Sequence, residues 1–96
     1  MTACTALSSA GIAYALRYID AAKRGGEALG LDKNISLKIV IRTIEGAIAL
    51  LETNGTSPQT EIDRVTTPGG VTLKGIDKME DGGFSKSVID GLLATK

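Results

Sequence analysis

The chain has no histidine and no tryptophan, one cysteine (Cys4), two prolines, and only three aromatic residues, Tyr14, Tyr18 and Phe84. Each shortage excludes something. Without histidine there is no imidazole proton shuttle, no Ser–His or Cys–His nucleophile pair, and no imidazole metal ligand. One cysteine closes no internal disulfide and builds no thiolate cage. Cys4 has no cationic sequence neighbour to activate it and reads as an inert thiol. A reduced, cytoplasmic setting agrees with that cysteine count. Charge of one sign is not in excess: 11 Lys+Arg balance 11 Asp+Glu. Nucleic acid and membrane surfaces are therefore not expected as partners. No run approaches the roughly 20 apolar residues of a membrane span. Residues 1–16 lack the basic start of a signal peptide. The carboxylates are scattered, with no spacing that suggests a metal site.

What is present is aliphatic. Hydrophobic residues make up 43% of 96 positions but aromatics only 3%, so a core must come from Ile, Leu, Val and Ala. That length suits one domain. The apolar periodicity is helical almost throughout. A first helix is expected over Ser9–Leu29, with Ile12, Ala15, Leu16, Ile19, Ala22 and Gly26 on one stripe. A strip of Tyr14, Ala21, Gly25 and Ala28 would admit a close neighbour. Gly25-Gly26 inside a helix costs about 1 kcal/mol per glycine relative to alanine, so a neighbour pressing on that spot is expected. Gly30 suits the position just past the helix end. A second helix is expected over Asn34–Glu52, capped by Asp32 or Asn34. It carries two opposite apolar stripes. One is Leu37, Val40, Ile41, Ile44, Ala47, Ile48 and Leu51; the other is Ile35, Ile39, Gly46 and Leu50. A helix apolar on both sides must be covered on both, and the economical cover is a second copy of the chain. Asn54-Gly55 marks a turn. Ser57-Pro58 opens a short helix to Val65. Two more follow, Val71–Glu80 and Phe84–Thr95, separated by the Gly82-Gly83 turn.

The outstanding local feature is Thr66-Thr67-Pro68-Gly69-Gly70-Val71-Thr72. Proline sets one turn dihedral, and the glycines permit positive φ and close approach. A helix start follows, whose free N–H groups, with the Thr67 and Thr72 hydroxyls nearby, could hold a carboxylate or phosphate. A plain helix–helix turn uses the same residues, and turn glycines are common. Weaker candidates have simple readings. Ser8, Ser9 and Gly11 fit a helix entry as well as a phosphate turn. Tyr14 suits core or interface packing with its hydroxyl satisfied. Glu45 suits a solvated strip.

Glu61 to Ile76, with Val65-Thr66-Thr67-Pro68-Gly69-Gly70-Val71-Thr72 at its centre, then Met79-Glu80-Asp81-Gly82-Gly83-Phe84, resemble the C-terminal signature of the pyrroline-5-carboxylate reductase family. Ser8-Ser9-Ala10-Gly11-Ile12-Ala13-Tyr14, Gly30-Leu31 and Thr43-Ile44-Glu45-Gly46-Ala47 resemble upstream family segments. Ser9 stands in place of a usual glycine, Ile12 of a usual proline, and Thr67 where serine is common. The resemblance covers nearly the whole chain but not the family's nucleotide-binding domain. It implies an all-α bundle of about five helices, residues 1–96, that interlaces with a second copy to form a homodimer or a larger ring. It also implies a role as the dimerisation and substrate-binding part of an enzyme that reduces 1-pyrroline-5-carboxylate to L-proline with NADPH or NADH. By that resemblance Thr67 supplies a hydroxyl to the substrate carboxylate, and Gly69, Gly70, Val71 and Thr72 supply backbone N–H groups. Thr72, the catalytic candidate, also hydrogen-bonds the ring nitrogen. These residues alone would bind no cofactor and show no turnover. Two other readings are a non-catalytic helical oligomerisation module and a domain that senses a small carboxylate.

Overall fold

The computed structural model describes residues 2–96. Helix α1 (Ala3–Thr5), a π-helical turn (Ala6–Ala10) and α2 (Gly11–Ala28) form one continuous rod. Then come α3 (Lys33–Asn54), α4 (Pro58–Val65), α5 (Val71–Asp81) and α6 (Phe84–Leu93). No strand occurs among the described residues. The elements match the helical periodicity, with one addition at the front. The first helix starts six residues earlier than Ser9, because the Thr2 hydroxyl caps it by accepting from the Thr5 N–H at 3.2 Å. Ser8 is inside the helical rod, its hydroxyl donating to the Cys4 carbonyl at 2.8 Å. Ser8, Ser9 and Gly11 therefore form helix and not a phosphate turn.

The ends of the long helices follow from local chemistry. Gly30, at φ 104°, lets the Leu31 N–H reach the Gly26 carbonyl and its own N–H reach that of Glu27. That pair of bonds is the Schellman closure. The Asp32 carboxylate accepts from Asn34 and Ile35 N–H groups and opens α3. Gly55, at φ 61°, closes it. Ser57 caps α4, with Pro58 in its first turn.

Helices α2 and α3 pack as an antiparallel hairpin, with Gly26 at their contact. Ser36 is 1% exposed, and its hydroxyl donates to the Lys23 carbonyl at 2.8 Å. A Cβ at Gly26 would lie 2.0 Å from that hydroxyl oxygen. The expected pressing neighbour is thus Ser36, and it presses on Gly26. Gly25, on the small-residue strip, meets nothing within 4 Å. Gly26→Ala is expected to destabilise the chain by about 1–3 kcal/mol through overpacking, despite alanine's better helix propensity; urea unfolding measures it.

On the other side, α2 meets α6. The Tyr14 hydroxyl donates to the Gly91 carbonyl at 3.0 Å, and Tyr18 and Phe84 pack edge to face with centroids 6.3 Å apart. A groove of about 480 Å³ runs along this contact, lined by Tyr14, Arg17, Tyr18, Phe84 and Val88 among others.

The chain does not enclose a core of its own. Among the described residues only Ala6, Ser36 and Glu61 are buried, and two of these are polar. Its radius of gyration is 14.7 Å, against about 12.5 Å for a compact domain of this length. Its accessible surface is 7277 Å², against about 5,200 Å² for a compact monomer of 9.9 kDa. Large apolar side chains contribute to it, with Leu7, Ile12, Leu29 and Val71 each well over half exposed. The first stripe of α2 divides: Ile19, Ala22 and Gly26 are half-buried, while Ile12 and Leu16 stay 65% and 58% exposed. On α3, Leu37, Val40, Ile44 and Leu51 are half-buried, whereas Ile41 and Ile48 of the same stripe are 39% and 51% exposed; on the opposite stripe Ile35 and Ile39 are open, and Leu50 lines the groove against α4. An exposed apolar area of this size marks an association surface.

Candidate functional site: the Thr66–Thr72 loop and its support

The loop joins α4 to α5. The Thr66 hydroxyl donates to the Ile62 carbonyl at 2.8 Å, tying the start of the loop to the last turn of α4. Thr67 to Gly70 then form a tight turn, closed by the Gly70 N–H donating to the Thr67 carbonyl at 2.8 Å. Pro68 in second place and Gly69 at φ 77° are the type II pattern. The two glycines have different reasons. Gly69 has open space around it and is required by its positive φ. Gly70 has an ordinary φ but no room: a Cβ there would lie 3.0 Å from the Thr67 carbonyl oxygen.

Helix α5 begins at Val71 with Gly70 as its cap residue, and no side chain caps it. There is no acidic residue in its first turn. Its first helical bond runs from the Lys74 N–H to the Gly70 carbonyl, so the Val71, Thr72 and Leu73 N–H groups have no helical partner. Val71 is 83% exposed. Among the described residues the Thr67 and Thr72 hydroxyls make no hydrogen bond, unlike that of Thr66. Unpaired N–H groups at the positive end of the helix and two unengaged hydroxyls can take a carboxylate. The Gly70 N–H, one of the expected donors, closes the turn on the Thr67 carbonyl, and the N–H groups of Gly69, Val71, Thr72 and Leu73 make no backbone hydrogen bond among the described residues. Tyr14, bonded to Gly91, and Glu45, exposed and paired with Arg42, lie outside this loop's bonds.

Behind the loop lies a cluster that sequence reasoning missed. Glu61, in the first turn of α4, is 7% exposed. Its carboxylate accepts from the Thr56 hydroxyl, from Asn54 Nδ2 at 3.2 Å and from Arg64 Nη1 at 3.4 Å. The Thr56 hydroxyl, foremost, holds the carboxyl below its usual range, with Asn54 and the Arg64 charge assisting against partial burial. The cue available beforehand was weak: Asn54, Thr56 and Ser57 surround a turn, and nothing in their spacing shows that a later glutamate folds back onto them. A carboxyl whose folded value is depressed contributes stability above its unfolded value, near 4.3, and loses it as pH falls through the folded value. The midpoint of thermal unfolding should therefore fall on acidification below about pH 4, and Glu61→Gln should flatten that acid limb.

Comparison with known proteins places this arrangement. The model for "pyrroline-5-carboxylate reductase dimerisation" matches residues 1–96, and the chain belongs to that family. It is 42% identical over 91 residues to pyrroline-5-carboxylate reductase 1 of Dictyostelium discoideum, covering 95% of this chain and 16% of that protein. It is 38% identical over 92 residues to the pyrroline-5-carboxylate reductase of Glycine max, covering 96% and 34%. The crystal structure of Plasmodium falciparum pyrroline carboxylate reductase with NADP bound superimposes with a TM-score of 0.91 at 28% identity, over 96% of this chain and 35% of that one. The chain thus spans between about a sixth and a third of these relatives. No helix among the described residues is long and apolar enough to cross a membrane.

Proposed function

We propose that the chain is the dimerisation and substrate-binding part of a pyrroline-5-carboxylate reductase, which reduces 1-pyrroline-5-carboxylate to L-proline in a cytoplasmic setting. The observation that carries this reading is the loop. In a chain of this family, an uncapped helix start with free Val71 and Thr72 N–H groups stands beside two unengaged hydroxyls. A substrate carboxylate would accept from Gly69, Val71 and Thr72 N–H groups and from the Thr67 hydroxyl. The Thr72 hydroxyl would reach the ring nitrogen, which becomes an amine as hydride adds to the adjacent carbon. The loop's work is orientation and charge stabilisation. Dinucleotide crevices of the βαβ type are built on a parallel sheet, so NADPH or NADH is expected to bind in a separate domain of the complete enzyme. When bound elsewhere in the enzyme it supplies the hydride.

The excess accessible surface, with its many exposed apolar side chains, supports a second copy as the partner. About 2,000 Å² per chain, covered in a pair, falls in the obligate range of interface sizes. The test of the reading is turnover. The reductase carrying this domain together with a nucleotide-binding domain should consume NADPH or NADH with the imine and release proline. The 96-residue chain by itself should not. Absence of turnover in the two-domain protein, or turnover by the isolated chain, overturns the assignment.

A further inference from the structure

We propose that Glu61 is a positioning residue for the carboxylate-binding loop, holding α4 in the one direction that delivers Thr66–Thr72. The role rests on the loop reading above; the geometry stands on its own.

Helix α4 has eight residues, below the roughly 12–15 that sustain an isolated helix in water. It packs on α3 and leaves a groove of about 200 Å³ between Leu50 and Leu51 on one side and Ile62 and Val65 on the other. Val65, which precedes the loop, is 61% exposed. Apolar contact is non-directional, so a short helix seated this loosely has a weakly defined axis. Hydrogen bonds to a carboxylate are directional and stronger than neutral ones. Glu61 receives three of them from three segments: Asn54 at the end of α3, Thr56 in the connection, and Arg64 in the last turn of α4.

The glutamate is not needed as a cap. Ser57 caps α4, accepting from the Thr60 N–H at 3.1 Å. The carboxylate turns back toward α3 instead. Displacement of α4 would pass directly into the loop, because the Thr66 hydroxyl fastens it to Ile62 and the Thr67–Gly70 turn is closed. The loop's free donors would then leave the line of the substrate carboxylate.

Loss of a merely stabilising ion cluster would lower the unfolding midpoint and leave substrate affinity alone, so two readouts separate the roles. Thr56→Val removes the hydroxyl while keeping its shape at a half-buried loop position. Glu61→Gln removes the charge. Thr56→Ser restores the donor. In the 96-residue chain, residual dipolar couplings of the Gly69, Val71 and Thr72 amides report loop direction relative to α3. In the two-domain reductase, KM for the imine, KM for NADPH and kcat report function. Thr56→Val and Glu61→Gln should change the loop couplings and raise KM for the imine about tenfold, the scale of one misdirected charged hydrogen bond. KM for NADPH should stay constant and kcat should remain within about twofold, while Thr56→Ser behaves as the parent. Unchanged couplings overturn the proposal, and so does an unchanged KM for the imine alongside lowered stability. If the parent reductase does not turn over the imine, the functional reading falls, and the couplings alone decide whether Glu61 directs the loop.

Discussion

Ile39→Ala is expected to raise the dissociation constant of the self-associated chain by about three orders of magnitude or more. Truncating a buried isoleucine to alanine typically costs about 2–5 kcal/mol. In a two-fold symmetric pair the loss occurs twice, giving about 4 kcal/mol at the low end, or three decades in affinity. The low end is appropriate because Ile39 is 49% exposed in the single chain, so part of its surface already packs on its own helices. Ile35, one turn earlier on the same stripe, should behave alike. The dissociated chain should also unfold, since among its described residues it encloses only Ala6, Ser36 and Glu61. Sedimentation equilibrium and circular dichroism over a dilution series would show helix loss tracking dissociation. A folded, dilute monomer, or Ile35→Ala and Ile39→Ala variants that dissociate like the parent, would place the interface elsewhere.

The second large effect is expected at Thr72. Thr72→Val keeps the shape of the side chain and removes its hydroxyl. A hydrogen bond to a charged group is worth about 1.5–3 kcal/mol, so kcat/KM for the imine in the two-domain reductase should fall about 10- to 150-fold. The position is exposed and in the first turn of α5, so the unfolding midpoint should barely move. Steady-state kinetics with calorimetry checks both. If the hydroxyl serves the ring nitrogen in the transition state, kcat drops; if it serves only the carboxylate, KM rises. Unchanged kinetics would return the loop to a helix–helix turn.

Much of the fold was legible because local signals agreed with one another. Asp32 and Ser57 cap where capping chemistry predicted, and Gly30 and Gly55 close helices with positive φ. The two-faced character of α3 was visible in its spacing, and residues of both stripes, Ile35 and Ile39 on one and Ile48 on the other, are left open. The loop was also legible, since Pro68-Gly69 at a type II turn is a purely local preference. The early start of the first helix was less so. Thr2, Thr5 and Ser8 are modest helix formers, but here their hydroxyls bond backbone and side chains within the rod.

Residue order along the chain by itself determined the helical class, the helix ends, the turn at Thr67–Gly70 and the need for a partner. Each depends on groups a few residues apart, whose geometry the backbone dictates. Only the tertiary structure decided which half of the α2 stripe turns inward, that Gly26 and not Gly25 meets Ser36, and that Glu61 folds back onto Asn54 and Thr56. Those outcomes depend on how two helices approach and on which of several available donors a polar group reaches. Distances through space settle them, and spacing along the chain does not encode those distances.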